Sequence, residues 1–482
     1  MSGPNNKKPL PPPPTKACHN CRRRRLRCDR SHPFCHKCSL NGEECLGYGT
    51  IIRWANAPAI RGKLAAPRGP QSALMTTTAT CIQPCLIDPL LNRLDAKSRN
   101  YMHHFTTLVC RDLVSIDQKD LNPFRAMIPL AGRFDYLQAI VVATGAMHLA
   151  TLTNFHNGTG GAELVDALAA KDKAIRLLKK AISTVTPASQ AMILAAVVFF
   201  VNLDLIDSGK GGWPAHIEAA TALMSSLRKQ SLEDSTLMSL VDVIAADCLT
   251  YRILGTTIST VDISWAEDQE TDGLFDVLRR AEAHSYHCCP PVMLEIIMAT
   301  SRLSRAAEGL EKTAEALGLL KRALLFPVEE WVHSIRGLSL EEDDLAVRVS
   351  LASAHRAAAC LYILLTVPEV ESLGILSLDG LVQEVKGYLS EVPTDHILLK
   401  GTVWPMFMAG AQTVDAEQRE WYLERLGTVW AKNPWICPWG YIRTAVEMLK
   451  ELWATRDKVG RDVEGWNWLH EMKARREKCL IV

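Results

Sequence analysis

Apolar residues follow two patterns along this chain. In AELVDALAAKDKAIRLLKKAI (162–182), Leu164, Leu168, Ile175, Leu178 and Ile182 fall on one face of a 3.6-residue repeat, while Asp166, Lys173 and Lys180 fall elsewhere. That spacing predicts an amphipathic helix with those five side chains inward. The segment FDYLQAIVVATGAMHLATL (134–152) is apolar nearly all round, which predicts a buried central helix. Ser339 followed by Glu342 has the form of a capping box, opening a helix that runs on through VRVSLASAHRAAACLYILL. The acidic cluster Glu341 to Asp344 suits the first turn of that helix, where the dipole favours negative charge. Neither sustained alternation nor an Asn-Gly hairpin signal between apolar strands appears, and no fixed-period repeat is evident across the body. The body, from about residue 96 to 482, therefore reads as all-helical. So much helix exceeds one ordinary core, and two packed sub-bundles are expected.

Ahead of the body the texture changes. Residues 1–15 carry prolines from Pro9 to Pro14, interrupted only by Leu10, and read as a disordered Pro-rich tail. Residues 16–46 are dense in cysteine and arginine. Residues 47–95 hold Pro58, Pro67, Pro70, Pro84 and Pro89 with glycines and a threonine run, the composition of a linker. A length of 482 residues fits this division into several units. With 48% hydrophobic and 22% charged residues, the composition is globular. The longest apolar run, Ala191 to Val201, is shorter than the roughly 20 residues a membrane span needs. No secretory signal peptide is recognisable in MSGPNNKKPLPPPP, and a soluble protein with no membrane partner is expected.

A net charge of +1 conceals a strong asymmetry. Residues 1–62 carry twelve Lys and Arg against three acids (Asp29, Glu43, Glu44), which leaves 42 bases and 50 acids for the rest. A basic head on a mildly acidic body suggests a polyanion-binding module fused to a domain with another task. The 15 cysteines divide as unevenly, with six between Cys18 and Cys45. In a reducing compartment, such clustering points to metal ligands rather than disulfides.

The cluster reads CHNCRRRRLRCDRSHPFCHKCSLNGEEC, which is C-x2-C-x6-C written twice, from Cys18 to Cys28 and from Cys35 to Cys45. A closed structural zinc site takes four ligands, and each half offers three. Six thiolates satisfy two zinc ions only if two of them bridge. About 30 residues cannot bury a core, so metal would supply the folding free energy, and acid or chelator would unfold this segment first. Between Cys21 and Cys28 lie Arg22, Arg23, Arg24, Arg25, Leu26 and Arg27. A short helix starting at the metal would fan these guanidiniums outward and turn Leu26 to the cluster. The planar guanidinium fork suits phosphate oxygens and the O6/N7 edge of guanine.

The string resembles the zinc binuclear cluster of fungal transcription factors. It fits all six cysteines, the basic run, Asp29 after the third cysteine and Pro33 before the fourth. The resemblance implies two zinc ions, bridged by Cys18 and Cys35. One would also be held by Cys21 and Cys28, the other by Cys38 and Cys45. It further implies that Arg24 and Arg25 reach base edges, typically at a CGG-type triplet in the major groove. Arg22 and Arg27, with Lys16, would contact phosphates and set register. Arg23 is as readily a solvated charge as a contact. The basic run doubles as a nuclear localisation signal.

The heptad coiled coil with which the family often continues has no counterpart in residues 47–85. Two arrangements stay open: a monomer on one half-site, or a homodimer through the helical body. After the cluster comes CLGYGTIIRW (45–54), and the body carries NPFRAMIPLA (122–131), AMHLA (146–150), WPAHIEAATALM (213–224), VWPMFMAGAQ (403–412) and REWYLERL (419–426). In this order they resemble the second family of fungus-specific transcription factor domains. That implies a mainly α protein whose helical domain regulates activity through ligands or partners, a small-molecule effector and the transcription machinery among them.

Other candidates carry less. His284, Ser285, Tyr286, His287, Cys288 and Cys289 look like a metal site but read better as entry to an apolar helix. Cys81 and Cys85 have helical ligand spacing, but Pro84 between them argues for linker. The Trp-rich end (Trp430, Trp435, Trp439, Trp453, Trp466, Trp468) should pack the last helices. The final Cys479-Leu480-Ile481-Val482 has a prenylation-like form that reads as coincidence, since a lipid would oppose nuclear residence. No P-loop, nucleotide-binding glycine fingerprint, H-E-x-x-H or G-x-S-x-G occurs, and an all-thiolate site leaves no open position for activated water. The chain is expected not to be an enzyme but to be a nuclear, sequence-specific DNA-binding regulator of RNA polymerase II transcription, from a family that often governs metabolic gene clusters. The alternative is a nuclear cofactor whose zinc module binds protein.

Overall fold

The computed structural model describes residues 16–31, 35–41, 45, 48, 94–115, 117, 122–157, 161–227, 235–259, 272–335, 342–431, 439–459 and 466–482. The expected proline-rich tail, Ser339, Cys81, Cys85, Trp435 and nearly all of the linker lie outside these residues. The chain divides into two units, Met1–Leu86 and Ile87–Val482.

The first unit holds two short helices, α1 (His19–Arg24) and α2 (His36–Leu40). Its core is cysteine: Cys18, Cys21, Cys35, Cys38 and Cys45 are buried together, with Cys28 and Tyr48 partly buried against them.

The second unit is built from helices alone among the described residues, apart from one isolated bridge between Lys210 and Cys479. Its first part comprises α3 (Ala96–His104), α4 (Cys110–Asp112), α5 (Pro123–Ala131), α6 (Asp135–Asn157), α7 (Gly161–Ile182), α8 (Pro187–Asp207), α9 (Trp213–Leu227) and α10 (Ser235–Ile258). The middle comprises α11 (Asp272–Ala281), α12 (Pro291–Leu303), α13 (Leu310–Leu324), α14 (Val328–Ser334) and α15 (Glu342–Thr366). Then come α16 (Pro368–Glu371), α17 (Leu378–Glu391), α18 (Val403–Gln412), α19 (Ala416–Ala431), α20 (Gly440–Val459) and α21 (Trp468–Arg475).

Local chemistry sets several boundaries. Asn122 caps α5 by accepting from the amides of Phe124 and Arg125, and Pro123 fits the first turn because its missing N–H would have no partner there. Thr186 and Ser189 form a capping box at α8. The acidic residues Glu342, Asp343 and Asp344 occupy the first turn of α15. At Gly145 of α6, a Cβ would stand 2.3 Å from the Tyr101 carbonyl oxygen, so only glycine lets α3 cross α6 this closely.

One continuous core runs from Tyr101 to Val482, in place of the two sub-bundles expected from length. Its axis is α6, α8 and α15, which are largely apolar and buried around most of their circumference. By length and composition, windows in these helices could cross a membrane, being longer than the run Ala191 to Val201 suggested, yet 78%, 94% and 89% of each is buried inside the fold. The face of α7 differs from expectation. Ala167, Ala174 and Leu178 are buried, while Leu168, Ile175 and Ile182 are exposed. Alanines let the α6 and α7 backbones approach closely, and the larger side chains are left on the outside.

Lys400 ties distant segments together. It lies in the 3-10 turn Ile397–Thr402, only 2% exposed, and its Nζ donates to the carbonyls of Asp112 and Val114, both at 2.8 Å. The Arg111 carbonyl accepts from it at 3.3 Å. A buried ammonium thus closes the carbonyl end of α4. His287, Cys288 and Cys289 are buried in the core, with the His287 ring stacked on Tyr286 at 4.0 Å. Trp439, Trp453 and Trp468 are buried as well. So are Cys479 to Val482: the Leu480 amide donates to the Gly209 carbonyl at 2.9 Å, and the Tyr441 hydroxyl donates to that of Val482 at 3.1 Å.

Candidate metal centre and nucleic-acid interface

The repeat seen in the sequence is repeated in space. Cys18 caps α1 and Cys35 caps α2, and each sulfur accepts from the amide three residues on, Cys21 and Cys38, at 3.4 Å. The amide of Cys18 donates to the sulfur of Cys28, also at 3.4 Å. Between the halves, Cys18 Sγ lies 3.5 Å from Cys35 Sγ and 3.8 Å from Cys38 Sγ, and Cys21 Sγ lies 3.8 Å from Cys35 Sγ. Two sets of four thiols converge, Cys18, Cys21, Cys28 and Cys35, and Cys18, Cys35, Cys38 and Cys45, the sulfurs of each within 4.8 Å of one another. Cys18 and Cys35 belong to both. Among the described residues no other groups of His, Cys, Asp or Glu converge in this way, the buried His287, Cys288 and Cys289 included.

These distances suit zinc. Tetrahedral geometry with zinc–sulfur bonds of about 2.3 Å sets ligating sulfurs about 3.8 Å apart. Burial pushes the thiols of Cys18, Cys21, Cys35 and Cys38 above their ordinary range. At Cys28 burial also acts upward, but the amides of Cys18 and Arg30 outweigh it and bring the group to about 7. Four sulfurs this close together in each set cannot all ionise without a cation to offset their repulsion.

Asp29 joins the halves. Its carboxylate accepts from the Ser31 hydroxyl and from the amides of His36 at 3.0 Å and Lys37 at 3.3 Å, which are first-turn amides of α2. The Ser31 hydroxyl and these amides hold the carboxyl well below the usual carboxylate range. Tyr48 packs against the cysteines, and its hydroxyl donates to the Ser31 carbonyl at 2.7 Å. The packing role of Tyr48 was not legible from the GYG string. An aromatic shortly after the last cysteine of a module lacking any other core was the available signal.

The basic run lies on the surface: Lys16, Arg22, Arg23, Arg24, Arg25 and Arg27 are all exposed. The short helix expected at the start of the run is present, and it ends within the run. α1 ends at Arg24, and Arg25 is left-handed (φ 57°), its amide donating to the Arg22 carbonyl at 3.3 Å. The Leu26 amide closes the turn onto the Cys21 carbonyl at 2.9 Å. Leu26 consequently does not turn to the cluster; it is 41% exposed. The left-handed step at Arg25 swings the next side chain outward. Arg22, Arg23 and Arg24 occupy the last turn of α1, where cations complement the dipole. Arg30, also left-handed, and Lys37 add to the exposed positive charge of the unit.

Comparison with known proteins agrees with this geometry. The profile of the fungal Zn(2)-Cys(6) binuclear cluster domain matches residues 16–55, and that of the fungal specific transcription factor domain matches residues 100–481. The acriflavine sensitivity control protein acr-2 of Neurospora crassa is 43% identical over 97% of each chain. No solved structure matches. A zinc-binding cysteine cluster, an exposed arginine run and a helical body thus coincide with two matched domains and a full-length relative, and the chain belongs to the fungal Zn(2)-Cys(6) transcription factors, DNA-binding regulators rather than enzymes.

Proposed function

We propose that residues 16–46 bind two zinc ions, Cys18 and Cys35 bridging, with Cys21 and Cys28 completing one site and Cys38 and Cys45 the other. The observation that carries this is the membership of Cys18 and Cys35 in both thiol sets. Zinc, when bound, supplies the folding free energy of a unit with no apolar core and keeps its thiolates deprotonated. Six thiolates and two divalent cations leave a residual negative charge, which the surrounding arginines offset.

In this reading Arg24 and Arg25 contact base edges of a CGG-type triplet in the major groove, and Lys16, Arg22 and Arg27 bind phosphates. Residues 47–95 link this domain to the regulatory domain, 96–482. The protein acts in the nucleus on RNA polymerase II genes, a metabolic gene cluster among them, and its helical domain responds to a small-molecule effector and meets the transcription machinery. The Neurospora relative is named for control of acriflavine sensitivity, which supports targets that set tolerance of a toxic compound. Selection of random duplexes by the zinc-loaded full chain tests this. Enrichment of a CGG-type triplet is expected; no enriched motif would favour a cofactor whose zinc module binds protein.

A further inference from the structure

The outward face of α7 carries apolar side chains that the fold does not cover. Leu168, Ile175 and Ile182 recur at seven-residue spacing and are 51%, 43% and 52% exposed. Val165, one turn before Leu168, is 65% exposed, and Val185, just past the helix end, is 42% exposed. Scattered surface hydrophobics are ordinary, but a row in one register over about 25 Å of helix is the pattern of a helix–helix seam.

We propose that this stripe is where two copies of the chain associate, α7 packing antiparallel on its counterpart with Ile175 at the two-fold axis. The inference goes beyond the proposed function: of the two arrangements the sequence leaves open, it takes the homodimer through the helical body and names its surface. The occupant follows from self-complementarity. With Ile175 opposite itself, Leu168 lies level with Ile182 of the other copy, seven residues to either side.

The charges agree with that register. Asp172 and Lys179 occupy the position beside the apolar row, three residues before and four residues after Ile175. Antiparallel packing brings each Asp172 within one residue's rise, about 1.5 Å along the axis, of the other copy's Lys179. Asp172 already meets Arg176 one turn on within its own helix, and Lys179 is exposed.

Sedimentation equilibrium of the zinc-loaded full chain tests the proposal. A concentration-dependent dimer is expected, and Ile175→Asp should raise its dissociation constant about tenfold or more, as for a charge placed at the centre of a seam. Asp172→Lys and Lys179→Asp should each weaken the dimer, and the two together should restore it, because every cross-pair is then reversed. A chain that stays monomeric, as it would if the stripe were covered by its own linker, overturns the proposal. So does a dimer indifferent to Ile175→Asp, or a double reversal that fails to rescue. Binding of Ile175→Asp to a duplex with one CGG-type triplet, read in parallel, reports separately on the zinc module and should match the parent.

Discussion

Cys18 Sγ lies 3.5 Å from Cys35 Sγ, across seventeen residues of chain, and each caps one of the two short helices. The sharing makes these two positions unequal to the other four. Cys18→Ser or Cys35→Ser strikes both thiol sets and should abolish zinc binding and unfold the module, removing on the order of 10 kcal/mol of metal-linked folding free energy. Cys45→Ser strikes one set and should retain part of the zinc. Metal analysis of the purified variants separates these outcomes, and equal losses at Cys18 and Cys45 would contradict the sharing.

The exposed arginines should divide by task. Arg22→Ala or Arg27→Ala should weaken binding to all duplexes alike and lower the salt slope by about 1. Arg25→Ala should relax the choice of base at one position, by about 1–3 kcal/mol. Affinities across a salt series on matched and single-mismatch duplexes measure both, and an unchanged sequence preference in Arg25→Ala would remove that residue from base readout.

Lys400 is a structural cation. Lys400→Met keeps the length of the side chain but leaves the carbonyls of Arg111, Asp112 and Val114 without their donor. A loss of about 3 kcal/mol in the stability of the helical unit is expected, as for a buried charge-assisted bond. Urea unfolding followed by tryptophan fluorescence would show it.

His355 should make the helical unit acid-sensitive. It is fully buried against Trp404, and burial lowers it to about 4 despite the acceptor carbonyl of Gly401. The unfolded chain takes up this proton below about 6.5, which the folded chain does not do until about 4. Stability is therefore lost as pH falls through that interval, at up to about 1.4 kcal/mol per pH unit for this residue. His355→Gln should show a shallower decline between those limits, and an equal slope in parent and variant would exclude the contribution.

The cysteine spacing made the thiol sets legible because closed metal sites dictate ligand number and reach, and the all-helical body was legible because period 3.6 marks it. Which face of α7 turns inward was not. The apolar residues Leu168 and Ile175 look like core in a one-dimensional pattern, yet close approach of α6 selects Ala167 and Ala174. Leu26 was misplaced for a related reason: its direction depends on the left-handed backbone at Arg25, and periodicity carries no record of a residue that leaves the helix. The single core also escaped the sequence, since contacts such as Lys400 with Asp112 join segments 288 residues apart.

The most direct test of a shared two-metal cluster is the zinc content of the purified chain, counted together with the thiols released when a chelator removes the metal. Two zinc atoms per chain, lost together with exposure of six thiols, are expected. One zinc or none, or release of fewer than six thiols, would contradict the arrangement.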